Sequence, residues 1–311
     1  MRIKNLKAVF FVFLFIFESC DNNNPIIPIY GDQPAYPPAD GFPAWSPNGK
    51  RIIYNHYGIT RVDIGGSYHV NYDSSGLWMI NSDGTNPHLI IRGVDINADW
   101  SPGGKWIVFE KNAQIYKVPV VGDSVDTSQI QQLTFEGRNF FPAWSPDGKW
   151  ITYSNTIGDT IGVWISPTDG SGSKTYFTFG GQPDWFPDGQ RILYGNRGIW
   201  IEKLDHSSKT QIYSDSVNRI ANPTVSPDGL RIAFDLNCQI WVMDSDGTDL
   251  TKITVEGLVV SQPFWSPDGS KIVCIGWPET KKYDPRNNGT LWIINADGTN
   301  KRQLTYGPLP Q

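Results

Sequence analysis

Six short runs along this chain alternate apolar and β-branched residues with the period of two that marks half-buried strands. They are Arg51–Tyr54, Trp106–Phe109, Trp150–Tyr153, Arg191–Tyr194, Arg231–Phe234 and Lys271–Cys274. After a loop, each is followed by a second apolar run: Leu77–Ile80, Ile115–Val118, Val163–Ile165, Ile199–Ile201, Ile240–Met243 and Leu291–Ile294. Each first run is preceded by Trp-Ser-Pro-Asp-Gly-Lys or a close variant, starting at Trp45, Trp100, Trp144, Trp185, Val225 and Trp265. In that segment proline presets φ, aspartate tolerates the next position and glycine supplies a positive φ, so it reads as a turn. The starts lie 55, 44, 41, 40 and 40 residues apart, the period of one repeated supersecondary unit. Each unit reads as four antiparallel strands: a segment ending at the tryptophan, the two runs, and a fourth strand behind an Asp-Gly turn, such as Gln303–Thr305.

Such a unit has two apolar faces and cannot bury them alone. Six of them stacked radially bury their faces on one another, and closing the circle removes most strand edges. The chain is therefore expected to be all-β, a six-bladed β-propeller of four-stranded antiparallel blades with no second domain. The repeated tryptophan is expected to wedge between neighbouring blades. Burying about 200 Å² of aromatic surface there contributes up to roughly 5 kcal/mol before entropy.

The pattern Pro-x-Trp-Ser-Pro-Asp-Gly-Lys-x-Ile-x-Phe, followed by Ile-Trp, Asp-Gly and Leu-Thr, resembles the PD40 (WD40-like) repeat of TolB-type propellers. The resemblance covers residues 40–311 and implies the six-bladed fold. It implies little about activity, because propellers host many functions. Two units depart from the pattern: Phe186 stands where serine is usual, and Val225 where tryptophan is usual.

The N-terminus has a different grammar. A basic stretch, Met1–Lys7, precedes ten apolar residues, Ala8–Phe17, too few to span about 30 Å of hydrocarbon as a helix. Ser19-Cys20 and the polar segment Asp21–Pro25 follow. This arrangement resembles a bacterial lipoprotein signal. The resemblance implies a signal peptide over 1–19, lipidation at Cys20 and a polar linker over 20–39. It further implies an exported protein of the cell envelope, on the periplasmic or outer-membrane side, that meets the membrane through its lipid anchor only. Cys238 and Cys274 remain, and their spacing leaves open whether they pair. A net charge of −5 and the lack of a basic stripe argue against a nucleic-acid partner. A monomer is expected.

The Trp-Ser-Pro and Asp-Gly turns fall on one face of the disc. The loops between second and third strands, and the crossovers, fall on the other. On that second face, blade one carries an insertion with His56, Tyr57, Arg61, Tyr68, His69 and Tyr72. Blade six carries one with Trp277, Lys281, Tyr283 and Arg286. Ring closure makes these blades neighbours, so the two insertions are expected to form one aromatic and charged binding surface. Three residues before each tryptophan position stand Phe42, Asn97, Phe141, Gln182, Asn222 and Gln262. The four amides, Asn97, Gln182, Asn222 and Gln262, have two open readings. They satisfy backbone groups where strands begin, or they form a polar socket at the channel mouth for a peptide end, a sugar or an ion. Asp99 and Asp184 stand beside them.

No Gly-x-Ser-x-Gly elbow, His-Glu-x-x-His motif or paired-cysteine zinc spacing occurs, and Asp244–Gly247 reads as a hairpin turn. No cofactor or metal is expected. The function expected is a non-enzymatic envelope scaffold binding a protein, peptide or glycan. The alternative is a propeller enzyme of carbohydrate lyase or hydrolase type with its site at the channel mouth. The alternative gains if His56 or His69 comes within metal reach of Asp73, Glu279 or Asp284.

Overall fold

The computed structural model describes residues 40–62, 68–93, 96–157, 160–254, 257–278 and 289–306. Six antiparallel sheets stand in a ring, each built from one continuous stretch of chain. The innermost strands are Asp40–Trp45, Ile96–Trp100, Arg138–Trp144, Gly181–Trp185, Ile220–Val225 and Leu258–Trp265. The second strands begin at Arg51, Trp106, Trp150, Arg191, Arg231 and Lys271, as the alternation predicts. Five blades have four strands in sequential order. In blade two the third strand, Gln114–Val121, outgrows the blade, and its outer edge is shared between Ser124–Val125 and Gln131–Gln132. Among the described residues no helix is long and apolar enough to cross a membrane.

The turn works as its composition requires. In blade one Ser46 N donates to Arg51 O (2.8 Å) and Gly49 N to Ser46 O (2.9 Å), with Gly49 at φ +70°. Ser46 Oγ accepts Arg51 N (2.9 Å), which starts the next strand. Blade four has Phe186 in place of the serine. There Asp188 accepts both Arg191 N (3.2 Å) and Arg191 Nε (2.6 Å), while the guanidinium covers the Phe186 ring at 4.0 Å.

Side chains at the second and fourth positions of each second strand face the preceding blade, and those at the first and third face the following one. Each repeat tryptophan fills the seam in front of its own blade: Trp100 packs with Ile53, Leu77 and Met79 of blade one, and Trp45 with Val273 and Leu291 of blade six. The two departures from the repeat compensate each other. Phe186, fully buried, packs against Val225 across the seam between blades four and five, filling the volume a tryptophan takes elsewhere.

The fourth position of the second strand holds Tyr54, Tyr153 and Tyr194 in blades one, three and four. Its hydroxyl meets the fourth position of the third strand. Tyr153 finds Ser166 Oγ (3.0 Å), and Tyr194 donates to Glu202 Oε2 (2.8 Å). Blade one has Ile80 there, and among the described residues the buried Tyr54 hydroxyl has no hydrogen-bond partner. Tyr54→Phe is therefore expected to leave the urea midpoint unchanged or raise it. Tyr153→Phe and Tyr194→Phe should each lower stability by about 1–2 kcal/mol. Equal losses at all three sites would contradict this account.

Among the described residues no strand is exchanged where blade six meets blade one, and hydrogen bonds between the two blades join them. Thr305 Oγ1 donates to Asp40 Oδ2 (2.6 Å), and His56 Nδ1 lies 2.8 Å from Asp40 Oδ1. Asp40 N donates to Gly289 O (3.2 Å) and Phe42 N to Gln262 Oε1 (2.7 Å). On the opposite face Arg302 donates to Ser82 O (2.9 Å) and Asp83 O (2.7 Å).

Candidate binding face and channel

Each innermost strand is interrupted by a register shift just before its last residues. The bulge places Phe42, Asn97, Phe141, Gln182, Asn222 and Gln262 in the left-handed region, with φ between 48° and 59°. Proline follows in every blade but the second, where Ala98 stands. A residue other than glycine in this region costs roughly 1–2 kcal/mol, and asparagine tolerates it best. The recurrent asparagines of the channel mouth thus have a backbone cause.

These residues and the prolines line a channel of about 120 Å³. One half of its mouth is polar. Gln182 Nε2 donates to Asn222 Oδ1 (2.8 Å), and Asn222 Nδ2 to Asp235 Oδ2 (2.6 Å). The backbone N–H of each bulge in this half is satisfied from the preceding blade: Gln182 N by Ser154 Oγ (2.8 Å), Asn222 N by Gln182 Oε1 (3.0 Å) and Gln262 N by Asp235 Oδ1 (3.0 Å). The other half is aromatic, with Phe42 and Phe141 edge to face at 5.9 Å, while Asn97 Nδ2 donates to Glu110 Oε2 (3.4 Å).

Deeper in the channel Asp99 and Asp184 are half-buried, and each bridges two blades. Asp99 accepts Trp100 N (2.8 Å) and, from blade three, Trp144 N (2.9 Å). Asp184 accepts Trp185 N (2.8 Å) and, from blade five, Val225 N (2.8 Å) and Thr224 Oγ1 (3.0 Å). Loss of water pushes Asp99 up to about 7; the Trp144 N–H pulls the other way, and the Asp184 charge adds to the rise. Burial raises Asp184 as well, against the Val225 N–H. Asp235 rises to about 6 by burial, opposed by Ser261, Asn222, the Gln262 N–H and Arg219.

The described insertion residues are divided among different elements. His56 and Tyr57 are buried: the second strand of blade one runs on to His56, whose ring packs edge-on to Trp78 at 5.4 Å. Arg61, Tyr68 and His69 lie on a hairpin of Ile59–Val62 and Tyr68–Val70, with Arg61 opposite His69. Tyr72 is half exposed at its foot. Trp277 is buried with Val259 and Ile275, because the second strand of blade six continues to Pro278. Cys20, Lys281, Tyr283 and Arg286 lie outside the described residues, as do Glu279 and Asp284. Asp73 pairs with Arg92 (3.1 Å), and among the described residues no three His, Cys, Asp or Glu side chains converge. Cys274 is a free, buried thiol, so it does not pair with Cys238.

Two features escaped the sequence reading. The Trp-Ser-Pro face is not uniform. The blade-two hairpin folds back over blade one, where Arg51 pairs with the Asp123 carboxylate and donates to Gly122 O (2.6 Å), and His88 Nε2 lies 2.6 Å from Asp123 O. The alternation through Val120-Val121-Gly122-Asp123-Ser124-Val125 carried that signal. Glu202 is buried between blades three and four, 2.8 Å from His206 Nδ1 and 3.2 Å from Lys209 Nζ. It occupies the position of Ile80, Val118, Met243 and Ile294, so the aligned repeats showed a carboxylate where an apolar residue is usual.

No protein-family model matches the chain. It is 27% identical over 260 residues to the uncharacterized protein Atu1656 of Agrobacterium fabrum, covering 75% of this chain and 83% of that one. It is 31% identical over 120 residues to the uncharacterized peptidase YuxL of Bacillus subtilis, covering 33% of this chain and 18% of that protein. Among solved structures, TolB from Acinetobacter baumannii superimposes with a TM-score of 0.63 at 20% identity, over 81% of this chain and 63% of that one. The six-bladed fold is that of TolB. The chain spans under a fifth of the peptidase and less than two thirds of TolB.

Proposed function

We propose that the chain is a non-enzymatic binding scaffold of the bacterial cell envelope. It is tethered through lipidated Cys20 and presents the face carrying the blade-one hairpin to a protein, peptide or glycan. The observation that carries this reading is how the hairpin is mounted. Asn71 N donates to Gly58 O (2.6 Å), and Gly58 N to Ser75 Oγ (3.0 Å), so the insertion closes on itself at its base. Its strands Ile59–Val62 and Tyr68–Val70 pair with each other and stand outside the four-stranded sheet of blade one. The channel groups favour the same reading. The Asp99 and Asp184 carboxylates are engaged by backbone N–H groups of the seams. About 120 Å³ also falls short of the roughly 300 Å³ at which small-molecule sites begin. The likeness to a peptidase keeps a hydrolase as the second reading.

Removing residues 59–70 and joining Gly58 to Asn71 through a short glycine linker tests the scaffold. The variant should lose capture of its partner from envelope extracts, with Tm within roughly 2–4 °C of wild type. Undiminished capture would refute the reading. In the same cells Cys20→Ser should move the protein out of the membrane fraction; continued membrane association would overturn the anchor.

A further inference from the structure

Five of the six seams are crossed by the chain, and on the Trp-Ser-Pro face a long side chain helps to close some of them. Between blades five and six Arg231 lies over the Trp265 ring at 4.8 Å and donates to Gly269 O (3.1 Å). Between blades one and two Arg51 meets the blade-two hairpin. Where blade six meets blade one the aligned residue is Lys271. An ammonium lacks the planar, multi-donor head with which arginine covers a ring and bonds a carbonyl at once. Beside it a cleft of about 950 Å³ lies open, with Trp45 and Ile293 at its base and Pro47 and Pro267 on its walls. Among the described residues Lys271 Nζ and Lys301 Nζ, both on the cleft, form no ion pair or hydrogen bond.

The carboxylates on the same walls are differently placed. Ser266 and Ser270 hold Asp268, and Thr85 holds Asp83, each through short hydrogen bonds to side chain and backbone. They remain anionic acceptors fixed in direction; Lys271 stands close enough to Asp268 to help hold its charge, and neither lysine Nζ is hydrogen-bonded among the described residues. The volume is at the upper end for ligand clefts and suits several residues of extended chain. Trp45 is only 6% exposed, so the cleft offers no open aromatic face on which a sugar ring stacks.

We infer that this cleft binds a short acidic peptide segment in extended form. The lysines take its carboxylates, and Asp83, Asp268 and the asparagine side chains of the walls meet its backbone N–H groups. It lies on the face opposite the blade-one hairpin, so this inference and the scaffold reading fail independently.

A fluorescein-labelled Glu-Val-Glu-Val-Glu-Val peptide, followed by anisotropy, tests it on the full chain. Binding should weaken as salt is raised. The double variant Lys271→Glu/Lys301→Glu should weaken it at least roughly tenfold, as the loss of two charge-assisted contacts implies. Lys271→Arg/Lys301→Arg should retain it, which guards against a folding defect in the reversal variant. Equal binding of Lys-Val-Lys-Val-Lys-Val, unchanged affinity in the reversal variant, or binding of trigalacturonate in preference to the acidic peptide would each overturn the inference.

Discussion

Asp40→Ala is expected to be among the most damaging single substitutions in this chain, costing about 3–5 kcal/mol and loosening the ring at one seam only. The substitution leaves His56 and Thr305 buried without their shared acceptor, 7% and 4% exposed respectively. Removing one member of a buried pair typically costs that much, because the other polar groups stay desolvated. The location raises the stakes. Asp184 joins blades four and five through partners 40 and 41 residues away, whereas Thr305 is 265 residues from Asp40. Closing the longer loop costs on the order of 1.5 kcal/mol more in chain entropy, and among the described residues no exchanged strand offsets it. Hydrogen exchange should therefore quicken first at Asp40–Trp45 and at Leu291, whose N–H is bonded to Thr305 Oγ1 (2.9 Å), while blades three and four keep their protection. Asp40→Asn keeps one acceptor oxygen and should fall between wild type and alanine. A wild-type urea midpoint for Asp40→Ala would show that the tryptophan wedges and the remaining bonds between blades six and one hold the ring without it.

The frame of this molecule was legible because each blade repeats one solution. Trp-Ser-Pro-Asp-Gly fixes where strands one and two meet, and the alternation after it fixes which side chains face which neighbour. Even the two irregular units became intelligible, since Phe186 and Val225 exchange volume across one seam. What escaped the sequence has physical causes. Partners 265 residues apart leave no local trace, so the Asp40 closure was invisible. Of the two readings open for the channel amides, Gln182 and Gln262 satisfy bulge N–H groups, and the positive φ of the bulge is one that asparagine tolerates. A strand can also run past its repeat boundary. For that reason His56 and Trp277, which composition marked as surface residues, are packed inside, and Tyr57 directly after the strand is buried with them.

Stability should also be greater at about pH 5 than at pH 8, the reverse of what a surface rich in hydrogen-bonded carboxylates suggests. Asp99 titrates near 7 in the folded chain against an ordinary 3.8, because burial disfavours its charge and Asp184 lies close enough to repel it. Between those two values the native state holds a proton that the unfolded chain has lost. Stability therefore declines as pH rises through that window and levels off above it. Asp235, raised to about 6, acts in the same direction, as does Asp184. The turn carboxylates act oppositely. Hydrogen bonds from Ser266 and Ser270 hold Asp268 down to about 2, and the Lys149 N–H and Ser145 lower Asp147. Their contribution is present above the ordinary carboxylate range and is lost only as pH falls below about 4. The two sets together place the stability maximum near pH 4–5. From pH 5 to 8 Tm should drop by about 4–8 °C, corresponding to roughly 2 kcal/mol once solvent contact in the channel is allowed for. Asp99→Asn should lower stability overall, since its amide N–H₂ faces a backbone N–H that needs an acceptor, yet flatten the decline above pH 5. A Tm that rises toward pH 8, or a decline equally steep in Asp99→Asn, would mean that the channel carboxylates keep their charge in the folded ring.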